Sequence, residues 1–531
     1  MLKNKARLLP ALTLCLIFIA LLPAMVLRDL NPVNELNYLA IAADALERGT
    51  FFAFYQDGAP YADKPPLYLW WCMLSYKLSG IAPGTLLLFS VLPFIALLWF
   101  CMRLNGDKEV SARVELCLGF CTVLFMTGLS LVARMDMLFA LFIAISYGQI
   151  IVRVQAQLRD PQAQVTRFDW ALPLTMFVAL FVKGPYAIIF PLVALLLFLI
   201  CYRQVRLYFK IFRPRFFLII LACVLLWGLL VYVDGGMAYL EELFVGQSAK
   251  RLSGSTGHPE PIYWYLTNIW YLAAPLALPA LYLVVHDIRS GDLKRDAVGL
   301  ASLCFFLAVF IVISLPSSKL EIYLLPGLPF LALYVWRSLV RLQGQAGWGL
   351  QLLLGLNFLP FALIFPALFF FTDRYPFLDH LLVYIAALLL SLGSVLALVL
   401  IYRHRLTRAL AVGGAALLSF LFCLGLSLPA LNPYLGIQQL AMAASADLEG
   451  AASAVVCTRG ISKPENLVLY DKRFVIYKNP ELFDSKCQQA ALLVGRSALR
   501  SNPEWLPLFK ARGAYYIGDN IYVPAPRRGT P

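Results

Sequence analysis

Charged side chains are scarce in this sequence. Only 14% of its 531 residues are Asp, Glu, Lys or Arg, whereas 61% are hydrophobic. A soluble core does not need so many apolar side chains, so the excess must face lipid. The composition therefore excludes an ordinary soluble protein and indicates a polytopic membrane protein.

Two motifs of nucleotide-dependent enzymes are also absent. The sequence contains no Asp-x-Asp pair, which soluble nucleotide-sugar transferases often use to hold a metal and a diphosphate. It contains no Gly-x-x-x-x-Gly-Lys-Ser/Thr phosphate loop either. Both absences favour a substrate carried by a lipid over a cytosolic nucleotide.

Cysteines with metal-finger spacing are lacking as well, although the chain has 11 cysteines. Nine lie in or beside apolar runs, where Cys behaves as a small buried hydrophobe. Cys457 and Cys487 fall in the C-terminal tail, where an oxidising compartment would let them pair. The sequence leaves a disulfide or two free thiols open at these positions.

Long apolar runs are what the sequence does have, and they predict about thirteen membrane-spanning helices. The first run follows Lys3, Lys5 and Arg7 and is longer than the apolar part of a signal peptide, so we interpret it as a retained anchor. The runs are 8–28, 82–103, 114–132, 137–154, 170–182, 186–202, 216–233, 266–285, 297–315, 322–336, 347–371, 381–402 and 409–428.

The formal net charge of +14 raises the question of nucleic-acid binding. When alternate loops are assigned to opposite sides of the membrane, one side carries roughly twice as many Lys and Arg residues as the other. This imbalance predicts a cytoplasmic N-terminus and an extracytoplasmic tail. The basic residues thus indicate topology, and we expect membrane lipids and no nucleic acid among the partners.

The pattern predicts two domains in an all-α polytopic membrane protein with a small C-terminal α/β domain. Residues 1–435 form the transmembrane domain, and its loop 29–81 carries two interfacial helices, an amphipathic one at 35–48 and an aromatic one from Leu67 to about Leu78. Residues 436–531 form the small extracytoplasmic domain. Its strand-like runs are 454–456, 466–470, 474–477 and 515–522.

Unusual polar residues accumulate on one side of the predicted bundle. For any single residue, interface anchoring or loop ion pairing is the simpler explanation. Together, charges supplied by several segments at one membrane face indicate a functional site. The residues are Asn34, Glu35, Asp63, Lys64, Arg134, Asp136, Lys183, Glu241, Glu242, Lys250, Arg251, His258, Lys319 and Glu321.

This combination of charges suits chemistry on a lipid-linked phosphate. The cations Lys64, Arg134, Lys183, Lys250 or Arg251, and Lys319 can bind phosphate through charge-assisted hydrogen bonds. In glycosyl transfer from such a lipid the leaving group is itself a phosphate, so positive charge is needed where negative charge develops. The candidates for activating a nucleophile are the carboxylates of Glu35, Asp63 and Asp136.

At five motifs the chain resembles the bacterial lipid A aminoarabinose transferases and the related protein mannosyltransferases, which share the type C glycosyltransferase fold. The motifs occur in the order, and on the membrane side, that the family uses. They are Asn34-Glu35-x-x-Tyr38, Tyr61-Ala62-Asp63-Lys64-Pro65, Arg134-x-Asp136, Lys183-Gly184-Pro185 and Ser318-Lys319-x-x-x-Tyr323-x-x-Pro326.

The resemblance implies an inverting transferase of the bacterial inner membrane that uses an undecaprenyl-phosphate-linked sugar donor and modifies lipid A or another envelope glycan or protein. It implies catalytic roles for Asn34, Glu35 and Asp136, and donor-phosphate binding by Tyr38, Tyr61, Lys64, Arg134, Lys183, Arg251, Lys319 and Tyr323. Asp63 and His258 stand where relatives have metal ligands. Since closed zinc sites take about four ligands, these two imply an optional divalent metal.

One departure from the family pattern leaves the acceptor open. The family begins with Asp-Glu, and Asn34, which cannot take a proton, stands at the Asp position. An acceptor hydroxyl on a protein or glycan would need another base, whereas a lipid A phosphate is already anionic. A polytopic lipid or sugar transporter and an inactive scaffold are the alternatives outside the enzyme class. No local motif identifies the sugar.

Overall fold

The computed structural model describes residues 2–107, 109–160, 170–246, 259–342, 345–447, 453–478, 485–488 and 490–525. Most of these residues are helical. The α-helices are α1 (Leu2–Val26), α2 (Glu35–Arg48), α3 (Pro66–Ser79), α4 (Pro83–Asn105), α5 (Val110–Cys121), α6 (Leu124–Leu129), α7 (Asp136–Arg159), α8 (Ala171–Lys183), α9 (Tyr186–Tyr202), α10 (Arg206–Ile211), α11 (Pro214–Glu241), α12 (Trp264–Leu272), α13 (Ala277–Arg289), α14 (Ala297–Ser314), α15 (Leu328–Arg341), α16 (Trp348–Ala362), α17 (Ile364–Thr372), α18 (Leu381–Tyr402), α19 (Leu406–Leu435), α20 (Gln438–Ala446), α21 (Ser485–Gln488), α22 (Arg496–Ser501) and α23 (Trp505–Ala511).

Long apolar helices confirm the predicted polytopic membrane protein. Within the described residues, 9 helices are long and apolar enough to cross a membrane, or up to 10 if a bent pair counts as one span. The other predicted spans are shorter or broken. The run 114–132 divides into α5 and α6, α8 and α9 have 13 and 17 residues, and α12 and α13 meet at a bend of 107°. The structure therefore has fewer full-length spanning helices than the apolar runs predict.

Small residues bring the helices of the bundle close together. A Cβ atom at Gly414 in α19 would overlap the carbonyl oxygen of Leu118 in α5, so only glycine permits this approach. Lipid tails are as apolar as the side chains of the helices, so the hydrophobic effect does not drive helices together within a membrane. Close packing of this kind is therefore a main source of helix association there.

The segment between α1 and α4 contains both helices that the sequence predicts there. Tyr55–Gln56 (β1) and Ala59–Pro60 (β2) form a short antiparallel hairpin between α2 and α3. The helices agree with the predicted 35–48 and 67–78 to within one residue. In an amphipathic helix a charged residue such as Glu35 is expected on the polar, exposed face, but Glu35 is fully buried.

The C-terminal domain contains a five-stranded sheet with the order β4-β3-β5-β7-β6. β3 pairs in parallel with the edge strand β4 and with β5, and β7 and β6 continue the sheet in antiparallel pairs. The strands are β3 (Ala454–Arg459), β4 (Phe474–Lys478), β5 (Ala491–Val494), β6 (Tyr515–Ile517) and β7 (Asn520–Val523).

The prediction for the tail is correct in its class but not in every element, since the predicted run 515–522 forms two strands, β6 and β7. Residues 466–470, predicted as a strand, belong mostly to the 3-10 helix Pro464–Leu469, and β5 was not predicted. Proline at the first turn favours this helix. Cys457 and Cys487, whose pairing the sequence left open, form a disulfide with Cα atoms 5.9 Å apart.

The tail domain contacts the outer segment that follows α1. The Asn466 side-chain amide donates to the Pro32 carbonyl oxygen at 2.8 Å, and Lys472 pairs with Glu47 of α2 at 2.6 Å. From the other side, the Asp29 amide donates to the Asn432 side chain at 3.0 Å. The segment 27–34 is therefore fixed between the end of α19 and the tail domain.

Asp29 in this segment makes the stability of the protein depend on pH. Burial raises the pKa of Asp29 from 3.8 to about 6, although the backbone of Gln438 and the charge of Arg28 lower it. A carboxyl group with a raised pKa in the folded state favours folding when protonated, so its contribution is lost as the pH rises from about 4 to about 6.

We expect Asp29→Asn to raise the free energy of unfolding at pH 7.5 by about 1 kcal/mol, a value reduced for solvent screening of this half-buried group. The variant should also lose the gain in stability that the wild type shows on acidification through this range. Thermal melts of both proteins between pH 4 and 8 measure this, with the exposed Asp373→Asn as a control. A variant that is less stable than wild type at pH 7.5 contradicts the prediction.

Candidate functional site

A buried ion-pair network lies at the ends of two helices. Asp136 begins α7, and Lys183 ends α8. The Asp136 carboxylate accepts hydrogen bonds from Arg134 Nε at 3.1 Å and from Lys183 Nζ. Only 3% of the Asp136 side chain is exposed, so the carboxylate is neutralised by these two cations, which burial requires. The sequence predictions for Arg134, Asp136 and Lys183 converge here.

Asn34 joins this network from the preceding outer segment. Its Oδ1 atom accepts a hydrogen bond from Arg134 Nη1 at 3.2 Å. An aspartate at this position would add a second carboxylate beside the Arg134 guanidinium, whereas Asn supplies an acceptor without charge. Asn34 therefore orients Arg134 and leaves the network with two cations and one carboxylate.

Two tyrosines extend the network towards Asp63 and Lys64. The hydroxyls of Tyr38 and Tyr61 lie close to each other. Burial raises the pKa of Tyr38 to about 12, and the charges of Arg134, Asp136 and Asp63 all act on it. Tyr38 therefore stays protonated at neutral pH and can donate a hydrogen bond to an anion.

Lys64 supplies a third cation from a different segment. Its Nζ atom pairs with Asp63 at 2.7 Å, and 22% of the Lys64 side chain is exposed. Lys64 also lies close enough to Lys183 for their charges to repel each other. Cations brought together from three segments make a surface that favours a bound anion.

An aromatic ring faces the cation at the end of α8. Lys183 Nζ lies 4.7 Å from the centre of the Tyr323 ring and 5.7 Å from that of Phe139. The negative face of an aromatic ring attracts an ammonium group, more strongly where water is excluded. Tyr323 thus joins the cluster through Lys183 and fixes the position of that side chain.

Glu35, a predicted catalytic residue, has a different environment. Its buried carboxylate accepts hydrogen bonds from the Arg28 guanidinium, from the Asn31 amide at 2.8 Å and from the Ala133 amide at 2.6 Å. These bonds engage both carboxylate oxygens of Glu35. The geometry gives Glu35 a positioning role, because it holds the peptide that precedes Arg134.

Lys319 also lies apart from the ion-pair network. Its Nζ atom donates to the carbonyl oxygens of Ser314, at 2.9 Å, and Pro316 at the end of α14. Only 2% of the residue is exposed. Burial lowers the pKa of Lys319, although the charge of Glu260 opposes this. In this arrangement Lys319 stabilises a helix end, where cations are favoured.

The remaining predicted site residues are Arg251, predicted to bind phosphate, and Asp63 and His258, predicted to bind a metal. Arg251 and His258 lie outside the described residues, so their roles remain predictions. Among the described residues no group of three His, Cys, Asp or Glu side chains is placed to hold a metal ion. Asp63 is paired with the Lys64 ammonium, which would compete with a metal cation. The described residues thus do not fit a metal site.

Other residues support the cluster, and the sequence analysis gave them no role in the site. The Tyr68 hydroxyl donates to the Ala133 carbonyl oxygen at 2.6 Å. The Ser90 hydroxyl donates to the Val132 carbonyl oxygen at 2.7 Å and accepts from the Arg134 amide at 3.3 Å. Together with Glu35, Tyr68 and Ser90 fix the turn that positions the Arg134 side chain. Single Ser and Tyr residues in apolar runs carry no local signal of such a role.

A carboxylate in α11 anchors the loop that leads to Lys64. One oxygen of Asp234 accepts from the backbone amides of Phe51, Phe52 and Ala53 at 2.7, 2.6 and 2.9 Å. Close by, the Tyr239 hydroxyl accepts from the Phe54 amide at 3.1 Å and donates to the Tyr61 carbonyl oxygen at 2.8 Å. A signal for this site was available, since Asp234-Gly235-Gly236 interrupts an apolar run.

We expect Asp234→Ala to lower kcat/KM for the reaction of this site by about tenfold. Three charge-assisted hydrogen bonds are lost, each with a net value of roughly 1.5 kcal/mol or more, but part of the loop remains fixed by Tyr239. Steady-state kinetics on purified protein measure this, and Asp373→Ala is the exposed matched control. Asp234→Asn retains an acceptor oxygen and should recover part of the loss. Equal kinetics in wild type and Asp234→Ala contradict the anchoring role.

Comparison with known proteins supports the fold. No protein-family model matches the chain. An undecaprenyl phosphate-alpha-4-amino-4-deoxy-L-arabinose arabinosyl transferase of Shewanella sediminis is 24% identical over 389 residues, which cover 70% of this chain and 68% of the relative. An uncharacterised protein of Aquifex aeolicus is 22% identical over 310 residues. That match covers 56% of this chain and only 58% of the relative.

Two solved structures have the same fold over almost the whole chain. ArnT from Cupriavidus metallidurans bound to undecaprenyl phosphate has a TM-score of 0.72 at 16% identity, with 97% of both chains covered. Its apo structure has a TM-score of 0.68 at 15% identity, with the same coverage. The resemblance to the aminoarabinose transferases, predicted from five motifs, is thereby confirmed at the level of the fold.

Proposed function

We propose that the chain is an inverting glycosyltransferase that moves a sugar from a polyprenyl-phosphate donor to lipid A or another envelope acceptor on the outer face of the bacterial inner membrane. The observation that carries the proposal is the convergence of Lys64, Arg134 and Lys183, which come from three segments, beside the tyrosine pair Tyr38 and Tyr61. The Shewanella relative is named as an arabinosyl transferase, and one Cupriavidus structure contains undecaprenyl phosphate.

The chemistry of the leaving group fits these residues. When the bond between the sugar and the carrier phosphate breaks, negative charge develops on the phosphate. Preorganised cations and hydroxyl donors stabilise that charge more in the transition state than in the ground state, which is what accelerates the reaction. The phosphate leaves without protonation, so the site needs no general acid.

The state of the carboxylates favours an acceptor that is already anionic. Asp136 is paired with two cations, and Glu35 accepts from Arg28 and from two backbone amides. The oxygens of both carboxylates are therefore already engaged by donors of the protein. A phosphate of lipid A needs little help from a base, so these pairings support lipid A as the acceptor. A hydroxyl acceptor would depend on Asp63, the side chain of which is 43% exposed.

Lipid A from cells with and without the gene tests the proposal by mass spectrometry. We expect a species heavier by one pentosamine or one hexose that is present only with the gene. Purified protein should transfer the same sugar from a polyprenyl-phosphate donor to lipid A in detergent. Unchanged lipid A together with a modified protein or glycan would move the acceptor to a hydroxyl. A protein that consumes no polyprenyl-phosphate donor with any envelope acceptor would contradict the transferase proposal.

A further inference from the structure

A second cationic cavity lies at the opposite end of the helices from the candidate site. Arg153 is 17 residues after Asp136 in α7, which corresponds to roughly 25 Å along a helix and so to nearly the thickness of a bilayer core. Likewise Leu172 lies near the start of α8, whereas Lys183 ends it. Both residues line a cavity of about 110 Å³. The cavity therefore belongs to the other membrane face.

Four cations line this cavity, and they come from two parts of the chain. Arg153 belongs to α7, whereas Lys210 lies at the end of α10, Arg213 in the turn that follows and Arg215 at the start of α11. Among the residues that the structure describes, no Asp or Glu lines the cavity. Cations gathered around one concave surface attract an anion into it.

The excess of basic residues on a cytoplasmic face explains cations in this region but not their arrangement. Arg203 and Arg206 belong to the same basic segment and are exposed, as Lys210, Arg213 and Arg215 are, but they do not line the cavity. The positive-inside rule concerns the number of cations in a loop, not their convergence. Four cations around one cavity indicate a binding site rather than topology alone.

The surroundings of the cavity identify a lipid as the source of the anion. Phe216 lines it, and exposed leucines follow along one side of α11. Their spacing of three or four residues places them on one helix face, starting one turn after Arg215. These leucines are Leu218, Leu221, Leu225 and Leu229, each more than half exposed. Acyl chains along this stripe would hold a headgroup at the cavity, whereas a free phosphate would gain nothing from it.

An aromatic series anchors the turn at the depth where headgroups lie. The rings of Tyr208, Phe212 and Phe216 contact one another in sequence, with centroids 5.1 and 5.0 Å apart. Phe209 of α10 is 71% exposed and points away from the protein. Aromatic side chains are enriched at membrane interfaces, and basic pockets between helices on the cytoplasmic side bind anionic headgroups.

We propose that this cavity, lined by Arg153, Lys210, Arg213 and Arg215, binds the phosphate of an anionic phospholipid in the leaflet opposite the candidate transferase site. The site is independent of the sugar-transfer reaction. Its role is to fix the start of α11, and α11 carries Asp234 at its other end.

Binding of phosphatidylglycerol to the full-length protein in a neutral detergent tests the proposal by native mass spectrometry. Arg213→Gln combined with Arg215→Gln should weaken binding about 25-fold, given that each basic residue near a surface contributes roughly a factor of five. The matched control, Arg203→Gln with Arg206→Gln, removes the same charge from the same segment outside the cavity and should bind as wild type does. Phosphatidylcholine should bind at least tenfold more weakly.

Several outcomes would overturn the proposal. One is an equal loss in the two double variants, which would indicate a general basic surface. A second is equal binding of phosphatidylcholine, and a third is displacement of the lipid by millimolar inorganic phosphate, which would make free phosphate the ligand. Arg213 Nε donates to the Lys210 carbonyl oxygen at 3.1 Å, so Arg213→Gln could disturb the turn. Lys210→Gln with Arg215→Gln keeps that bond and must show the same loss.

Discussion

Lys64→Ala is expected to lower the rate of sugar transfer by about 10²- to 10³-fold while leaving the amount of inserted protein unchanged. Removal of one preorganised donor from a site that stabilises a developing anion typically has an effect of this size. Lys64 is partly exposed and ion-paired with Asp63, the side chain of which is 43% exposed, so the loss of Lys64 leaves no buried charge behind. Transfer assays with membranes adjusted to equal protein content measure the effect.

A lysine in α3, the helix that follows Lys64, provides the matched control. Lys77 lies in the last turn of α3, one residue before an exposed leucine, and is itself exposed. Lys77→Ala should transfer sugar as fast as the wild type. Lys64→Arg retains the charge and should keep more activity than Lys64→Ala. Turnover at the wild-type rate in Lys64→Ala would remove Lys64 from the phosphate-binding cluster.

The fold could be predicted because a membrane restricts the possible structures so strongly. Each apolar run has to satisfy its backbone hydrogen bonds internally, so a run of spanning length is almost always a helix. The runs at α4 and α18 were predicted to within a few residues. Run length alone did not distinguish a straight span from a bent one. The 107° bend between α12 and α13 depends on packing, which periodicity does not encode.

The cluster of site residues could be predicted in part. The motifs placed Asn34, Arg134, Asp136 and Lys183 on one membrane face, and the structure brings these side chains into one network. The motifs could not reveal which carboxylate already accepts hydrogen bonds from other parts of the protein. Glu35 receives the amide of a residue 98 positions away, and such a partner has no local signature in the sequence.

Lys319 shows that the motifs do not reveal the partners of a cation either. The sequence placed it among the phosphate-binding residues because of its charge and its motif. In the structure its ammonium group donates to two carbonyl oxygens of its own turn, three and five residues before it, and phosphate binding by Lys319 stays a prediction. A lysine next to a helix end can serve a ligand or the helix, and only the path of the turn after α14 distinguishes these uses.

Asp136→Ala is expected to lower the free energy of unfolding by about 3 to 5 kcal/mol and to reduce transfer below detection. Asp136 neutralises both Arg134 and Lys183, and removing the shared partner leaves two uncompensated cations in a buried site. The carboxylate also lies in the first turn of α7, where a negative charge is favoured. Thermal inactivation of purified protein in detergent measures the stability, and the transfer assay measures activity.

A second substitution separates the loss of stability from the loss of activity. Lys183→Met in the Asp136→Ala protein removes one of the two cations left without a carboxylate partner and keeps a side chain of similar length. The double variant should therefore regain at least half of the lost stability. It should not regain transfer, because the cation proposed to hold the donor phosphate is gone. A double variant no more stable than Asp136→Ala would mean that the carboxylate acts through the helix end rather than through the two cations. Recovery of transfer would mean that Lys183 does not bind the phosphate.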